Sequence, residues 1–259
     1  MKKHKFKILS VASFLLFIGI WYLSTEVLKL FPAYVFPSPV KVIQAFFEKF
    51  TEKAPDGGLI YQHLFASLQV ALYGYGLGAI IGIPLGIMMA WYRKVDLIVK
   101  PLFDMIRPIP PVGWIPIFIL WLGIGMNAKA TVIFVSAVVP CVINAYTGIK
   151  QTNAVHVWVA KTFGMNDYQI LRKVAFPSAL PMIFTGLKVS LGSSWMALVA
   201  AEMLASTKGL GYMIQMNRMV GNAANIIVGM LTIGAVGAVL TYVLEYFEVK
   251  FVKGRNAIK

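Results

Sequence analysis

The chain has 259 residues, 59% of them hydrophobic and only 13% charged, and it carries a net charge of +14. A soluble domain holds about 25% charged residues, and a chain this apolar cannot cover itself with polar surface, which excludes an ordinary soluble enzyme or binding module. The lone cysteine, Cys141, excludes an intramolecular disulfide and a cysteine-built zinc site.

A helix needs about 20 apolar residues to cross about 30 Å of hydrocarbon. Six segments meet that need in chain order: residues 8–28, 64–91, 97–122, 130–149, 182–205 and 224–247. The first has the basic start of a leader peptide, but Trp21-Tyr22-Leu23-Ser24-Thr25-Glu26 offers no small-x-small cleavage site, so a retained anchor is expected. The linker that follows is extended by Pro32, Pro37 and Pro39. Residues 40–53 then place Val42, Ile43, Phe46, Phe47 and Phe50 at helical spacing, and Pro55-Asp56-Gly57-Gly58 makes a turn. This short amphipathic helix either lies flat on the outer membrane interface or packs as a lid on the bundle.

The second segment places Gly74, Gly78, Gly82 and Gly86 four residues apart, on one helix face. Helices gain no hydrophobic energy by associating within lipid, so close approach through small residues marks a tight helix contact, in this chain or with another copy. The fifth segment has a similar face in Gly186, Ser190, Ser194, Ala197, Ala201 and Ala205. The third segment contains Arg107-Pro108-Ile109-Pro110-Pro111, and those prolines predict a break, tolerable only where protein or a water-filled cavity covers it.

Charge gives the orientation. With the N-terminus inside, the inner segments carry Lys2, Lys3, Lys5 and Lys7; Arg93, Lys94, Lys100 and Arg107; Lys150, Lys161, Arg172 and Lys173; and Lys250, Lys253, Arg255 and Lys259, two thirds of the 24 basic residues. The positive-inside rule then predicts an all-α, polytopic bundle of about six transmembrane helices with both termini cytoplasmic. Because the basic residues lie between apolar runs and not in an aromatic-interleaved patch, nucleic acid is not an expected partner.

The inner loop after the fourth segment is the most informative. Residues 151–163 read as a helix, Gly164 as a break, and residues 167–174 as a second short helix capped by Asn166 or Asp167 and stopped by Pro177. Such an elbow is a knob on the cytoplasmic surface. Ala160 and Gly164 would let another backbone approach, while Tyr168, Ile170 and Leu171 would give apolar contact.

This loop resembles the one in permeases of binding-protein-dependent ABC importers, whose motif runs Glu-Ala-Ala, three residues, Gly. The motif's last Ala and its Gly fall on Ala160 and Gly164, whereas its acidic residue falls on Trp158 and its first Ala on Val159, two departures. Phe36-Pro37-Ser38-Pro39, Gly82-Ile83-Pro84-Leu85-Gly86, Arg107 to Pro111, Trp121-Leu122-Gly123-Ile124-Gly125 and Ala201-Glu202-Met203-Leu204 through Tyr212 resemble the nitrate/sulfonate/taurine branch of that family. The resemblance implies an anchor over residues 1–30, an external linker over 31–59, a permease domain over 60–248 with its coupling loop at 151–181, and a basic tail over 249–259. It implies that Trp158, Val159, Ala160, Gly164, Met165, Asn166, Asp167 and Tyr168 meet an ATPase subunit. The implied partners are a second permease copy, two cytoplasmic ATPase subunits, an extracytoplasmic solute-binding protein and membrane lipid. The cargo would be an aliphatic sulfonate, taurine or nitrate, or else a thiamine or riboflavin-type precursor.

The chain has no Gly-Lys-Ser/Thr, hence no loop of that kind to cradle nucleotide phosphates. No cofactor is expected on this chain, and ATP and Mg belong to the partner. Glu202 is a functional candidate as a carboxylate near the membrane interior, or it pairs near the outer loop, for example with Lys208. Arg107 guides an anion or snorkels to the inner headgroups. Asn144 and Trp195 line the path or pack helices together. His4, His63 and His156 do not cluster in sequence, so no metal site is expected. A secondary transporter or channel would need coupling charges at mid-membrane, which only Glu202 and Lys188 approach. A membrane-embedded enzyme would need a catalytic cluster that the sequence does not offer.

Overall fold

Within a bilayer the backbone must satisfy its own hydrogen bonds, so each apolar run becomes helix. The computed structural model describes residues 2–252; Lys253, Arg255 and Lys259 of the basic tail lie outside the described residues. In chain order the helices are α1 (Lys2–Tyr22), α2 (Pro39–Glu48), α3 (Ile60–Trp91), α4 (Arg93–Ile106), α5 (Ile115–Leu122), α6 (Met126–Lys150), α7 (Ala154–Thr162), α8 (Asp167–Ile170), α9 (Phe176–Ala205), α10 (Leu210–Met219) and α11 (Ala223–Phe251).

Among the described residues four helical runs are long and apolar enough to cross a membrane: α3, α6, Asp167–Ala205 and α11. The expected third span is a bent pair, Arg93–Ile106 with Pro111–Leu122, turned by 86°. The break falls at the proline run, where Pro108, Pro110 and Pro111 supply no backbone donors. The first expected span continues from α1 through a π turn at Leu23–Val27, and its apolar stretch Val11–Val27 is shorter than the others.

The chain divides into two units, Met1–Phe65 with Lys208–Gly234 and Ala66–Thr207 with Ala235–Lys259. In the first, Ser38 caps α2 and Pro39 takes the first helical position, where its missing N–H costs nothing. Val42 and Ala45 of α2 pack with Ile60, Met213 and Val228. Of the predicted apolar face only Val42 turns inward; Ile43, Phe47 and Phe50 point away from the chain.

The first unit also holds a buried polar cluster. Asp56 Oδ1 accepts from Lys49 Nζ at 2.7 Å, and Asp56 Oδ2 accepts from Asn217 Nδ2 at 3.0 Å. The Gly209 N–H donates to His63 Nδ1, so the ring proton sits on Nε2, which faces Asp56 Oδ1 at 3.2 Å. Burial pushes the Asp56 carboxyl up, but hydrogen bonds from His63, Lys49 and the Gly58 N–H, with the Lys49 charge, outweigh it and hold the group below its ordinary value.

In the second unit the α3 glycines face α6 of the same chain. A Cβ on Gly74 would lie 2.6 Å from the Ala130 carbonyl oxygen and one on Gly82 2.9 Å from Cys141 Cβ; on Gly78 and Gly86 it would overlap Ala137 and Val142. The expected small face of α9 meets α6 as well, with Ser190, Ser194, Ala197, Ala201 and Ala205 buried. Pro140 in α6 leaves the Ser136 carbonyl without its helical donor, and the Ser193 hydroxyl of α9 reaches that oxygen at 3.1 Å.

Candidate docking site

The elbow lies between α6 and α9. Asn153 caps α7, its side chain accepting from the Val155 N–H at 2.9 Å. At the other end the Gly164 N–H reaches the Lys161 carbonyl and the Met165 N–H the Ala160 carbonyl. This paired closure needs a left-handed residue, and Gly164 provides it with φ +75°. Asn166 and Gln169 then form a reciprocal cap on α8, at 2.9 and 3.0 Å.

Two expectations change here. Pro177 does not stop the second helix: Asp167–Ala205 is one run of 39 residues. A π turn at Leu171–Ala175, closed by the Phe176 N–H on the Leu171 carbonyl, widens the backbone just before Pro177 and relieves the clash its ring would make in a regular helix. Nor do Ala160, Ile170 and Leu171 face outward. Ala160 and Ile170 are buried and Leu171 is half-buried, so these residues hold the elbow together instead of offering contact. Gly164 has open space beside it, and its backbone angle is what demands glycine.

What the elbow presents instead is an apolar crest: Val155, Trp158, Val159, Phe163 and Tyr168 are 49–81% exposed. Lys161, Arg172 and Lys173 stand exposed around it, with Asp167. At 1.5 Å per residue the run from Asp167 is about 58 Å long, well beyond a hydrocarbon layer of about 30 Å, so it is long enough to carry the elbow clear of the hydrocarbon.

The four path candidates are held by different neighbours. Arg107 is exposed, with Nε 3.4 Å from Asp104. Asn144 donates to the Pro140 carbonyl at 2.8 Å, and its Cβ lies where a Cβ on Gly186 would crowd it. Trp195 is buried against Gly237. Glu202 is fully buried and accepts from Ser67.

Residues 82–254 match the family of binding-protein-dependent transport system inner membrane components. The chain belongs to that family of ABC transporter permeases. This permease is 33% identical over 210 residues to the taurine transport system permease protein of Escherichia coli, covering 80% of this chain and 75% of the relative. It is 36% identical over 194 residues to the bicarbonate transport system permease protein of Synechococcus elongatus, covering 74% and 69%. Its fold is similar to a chain of the methionine ABC transporter MetNI in an inward-facing conformation, with a TM-score of 0.60 and 20% identity over 75% of this chain and 94% of that one. The permease is thus a multi-pass inner-membrane transport subunit of the nitrate/sulfonate/taurine branch.

Besides the Ser67–Glu202 bond, sequence reasoning missed three polar links in the permease. Lys188 Nζ lies 2.8 Å from Glu248 and ties α9 to α11; Lys129 donates to Ser206 at 2.9 Å; Asp56 gathers Lys49, His63 and Asn217. Basic and acidic residues inside apolar runs were the only signal for the first, and nothing in the sequence pairs the others.

Proposed function

We propose that two copies of this chain form the membrane path of an ATP-driven importer of small solutes that carry a sulfonate or another oxyanion, such as taurine, an aliphatic sulfonate, nitrate or bicarbonate, with both termini and the elbow in the cytosol. Separate ATPase subunits bind ATP and Mg and receive the elbow, and an extracytoplasmic solute-binding protein delivers the cargo. The observation that carries this reading is the exposed apolar crest of α7, joined through the tight turn at Gly164 to the helix run that continues into α9. Such a crest on a short loop calls for a covering partner. The basic side chains beside it suit a partner with an acidic rim, and that connection lets a movement of the partner reach α9 as a rigid-body change. The taurine and bicarbonate permeases among its relatives support a small solute of that kind as cargo.

The test is co-purification of the permease with the ATPase encoded beside it. Trp158→Glu and Phe163→Glu change exposed side chains only, so the permease keeps its gel-filtration profile while ATPase retention and uptake fall together. Retention and uptake at wild-type levels in both variants defeat the reading. Orientation is checked with Asn166→Cys in a Cys141→Ser background: an impermeant maleimide labels it from the cytosolic side, and labelling from the outside alone reverses the topology.

A further inference from the structure

Helix α4 has one face that this chain leaves uncovered, and that face is apolar: Leu97, Ile98, Leu102 and Met105 are 62–74% exposed. They recur at helical spacing and form one stripe. The opposite face turns Lys100, Asp104 and Arg107 toward α6, where they border a cavity of about 170 Å³ with Tyr146 and Thr147 on its far side. The remaining lining, Met89, Phe103, Val142 and Ile143, is apolar, so the cavity offers a lipid both polar groups and an apolar wall.

Two cations, Lys100 and Arg107, line the cavity, and a third, Lys150, stands over its Tyr146 ring. Lys100 Nζ lies 5.8 Å from the centre of the Tyr146 ring and Lys150 Nζ 5.6 Å from it, and Arg107 sits at the start of the proline break. The carboxylates present are Asp104, 3.4 Å from Arg107 Nε, and Asp96, whose Oδ2 accepts from the Tyr146 hydroxyl at 3.3 Å. Among the described residues Lys100 makes no ion pair, and four of the five N–H donors of Arg107 are not used by the Asp104 contact. The balance favours a group with negative charge.

We infer that this cavity holds the phosphate of an anionic phospholipid of the cytosolic leaflet. This rests on the permease reading above, which puts α4 on the cytosolic side. Pro111–Leu122 is the more apolar arm of the bent pair; with that arm entering the membrane, a helix turned from it by 86° would lie close to the membrane plane. Its apolar stripe then enters the acyl region and its basic side chains reach the headgroups, the arrangement of an interfacial helix. Lys100 and Arg107 hold the phosphate, and Met89, Val142 and Ile143 take the glycerol end of an acyl chain. The apolar wall distinguishes an amphiphile from a free anion, and a basic pocket between membrane helices on this side suits an acidic headgroup.

The test is native mass spectrometry of the full-length permease in detergent with added phosphatidylglycerol or phosphatidylcholine. The wild type retains phosphatidylglycerol in preference to phosphatidylcholine, and Lys100→Gln with Arg107→Gln lowers that retention by about thirtyfold, the worth of two basic residues at an anionic surface. Lys100→Arg with Arg107→Lys keeps it. Equal retention of the two lipids, or unchanged retention in the glutamine double variant, overturns the inference; so does displacement of the lipid by inorganic phosphate, which assigns the cavity to a free anion. Should the glutamine variant not fold, a photoreactive phosphatidylglycerol labels the wild type within α4 and residues 142–147, and labelling confined to other segments overturns the inference. Trp158→Glu leaves lipid retention intact, so failure of the elbow reading and failure of the lipid site are read separately.

Discussion

Ser67 on α3 turns its hydroxyl to both oxygens of the Glu202 carboxylate on α9, at 2.8 and 2.9 Å. The link joins residues 135 positions apart and sits where no water screens it, since neither side chain is open to solvent. Breaking a hydrogen bond between two groups shut off from water leaves the remaining partner buried and unsatisfied. Ser67→Ala removes this bond at a cost on the order of 1–2 kcal/mol, in line with polar contacts measured between membrane helices. The check is a lower thermal midpoint in detergent for Ser67→Ala, with Ser67→Thr recovering part of the loss.

The α3 stripe gives a contrast within one helix. Gly78→Ala drives a methyl group into Ala137 of α6, whereas Gly76, two residues earlier, has open space beside it. Gly78→Ala therefore lowers the yield of folded permease and its thermal midpoint by a cost of about 1–3 kcal/mol, as overpacking does. Gly76→Ala leaves both unchanged or slightly improved. Equal behaviour of the two variants would contradict the α3–α6 packing.

Acid weakens the first unit through Asp56. Its carboxyl sits below the ordinary carboxylate value when folded, so its contribution is fully present above about pH 4, where the unfolded group is also ionised. That contribution is lost as pH falls through the lowered folded value. Asp56→Asn leaves the buried Lys49 ammonium without its counter-charge and costs about 3–5 kcal/mol at neutral pH. Thermal midpoints measured between pH 6 and pH 3 show the wild type losing stability in acid more steeply than the variant. Pairing the change with Lys49→Met restores much of the neutral-pH loss.

At the elbow, Gly164→Ala places a Cβ at φ +75° and costs about 1–2 kcal/mol of local stability. Gly164→Asn, which tolerates the left-handed region, costs less. If the elbow moves with the ATPase, transport follows the same order, glycine above asparagine above alanine, in a vesicle uptake assay.

Much of this architecture is legible in the sequence because its signals are local. The period-four glycines announce a tight helix contact, and Gly164 and Asn166 mark the end of α7 and the start of α8 by the chemistry of helix caps, whereas Asn153, which falls inside a helix over 151–163 in the sequence reading, caps α7 at Ala154. Pro177 misleads because a proline shows the need for a break but not the π turn that absorbs it three-dimensionally. The prolines at 108–111 predict an interruption without its angle, which depends on how α4 and α5 each pack against α6. Asp56 looks like an ordinary turn residue, since Asn217 approaches it from 161 positions away. Ala160 and Ile170 look like contact residues until the fold turns them inward.

The unbroken rod from Asp167 to Ala205 also sets a mechanical ratio. Pivoting about 58 Å of helix through 10° about one end sweeps the other through about 10 Å. A modest tilt imposed at Asp167, next to the crest, would thereby become a displacement as large as a helix diameter at the far end. The Ser193 hydroxyl that reaches the Ser136 carbonyl beside Pro140 ties that rod to α6, so a tilt of one helix would load the other.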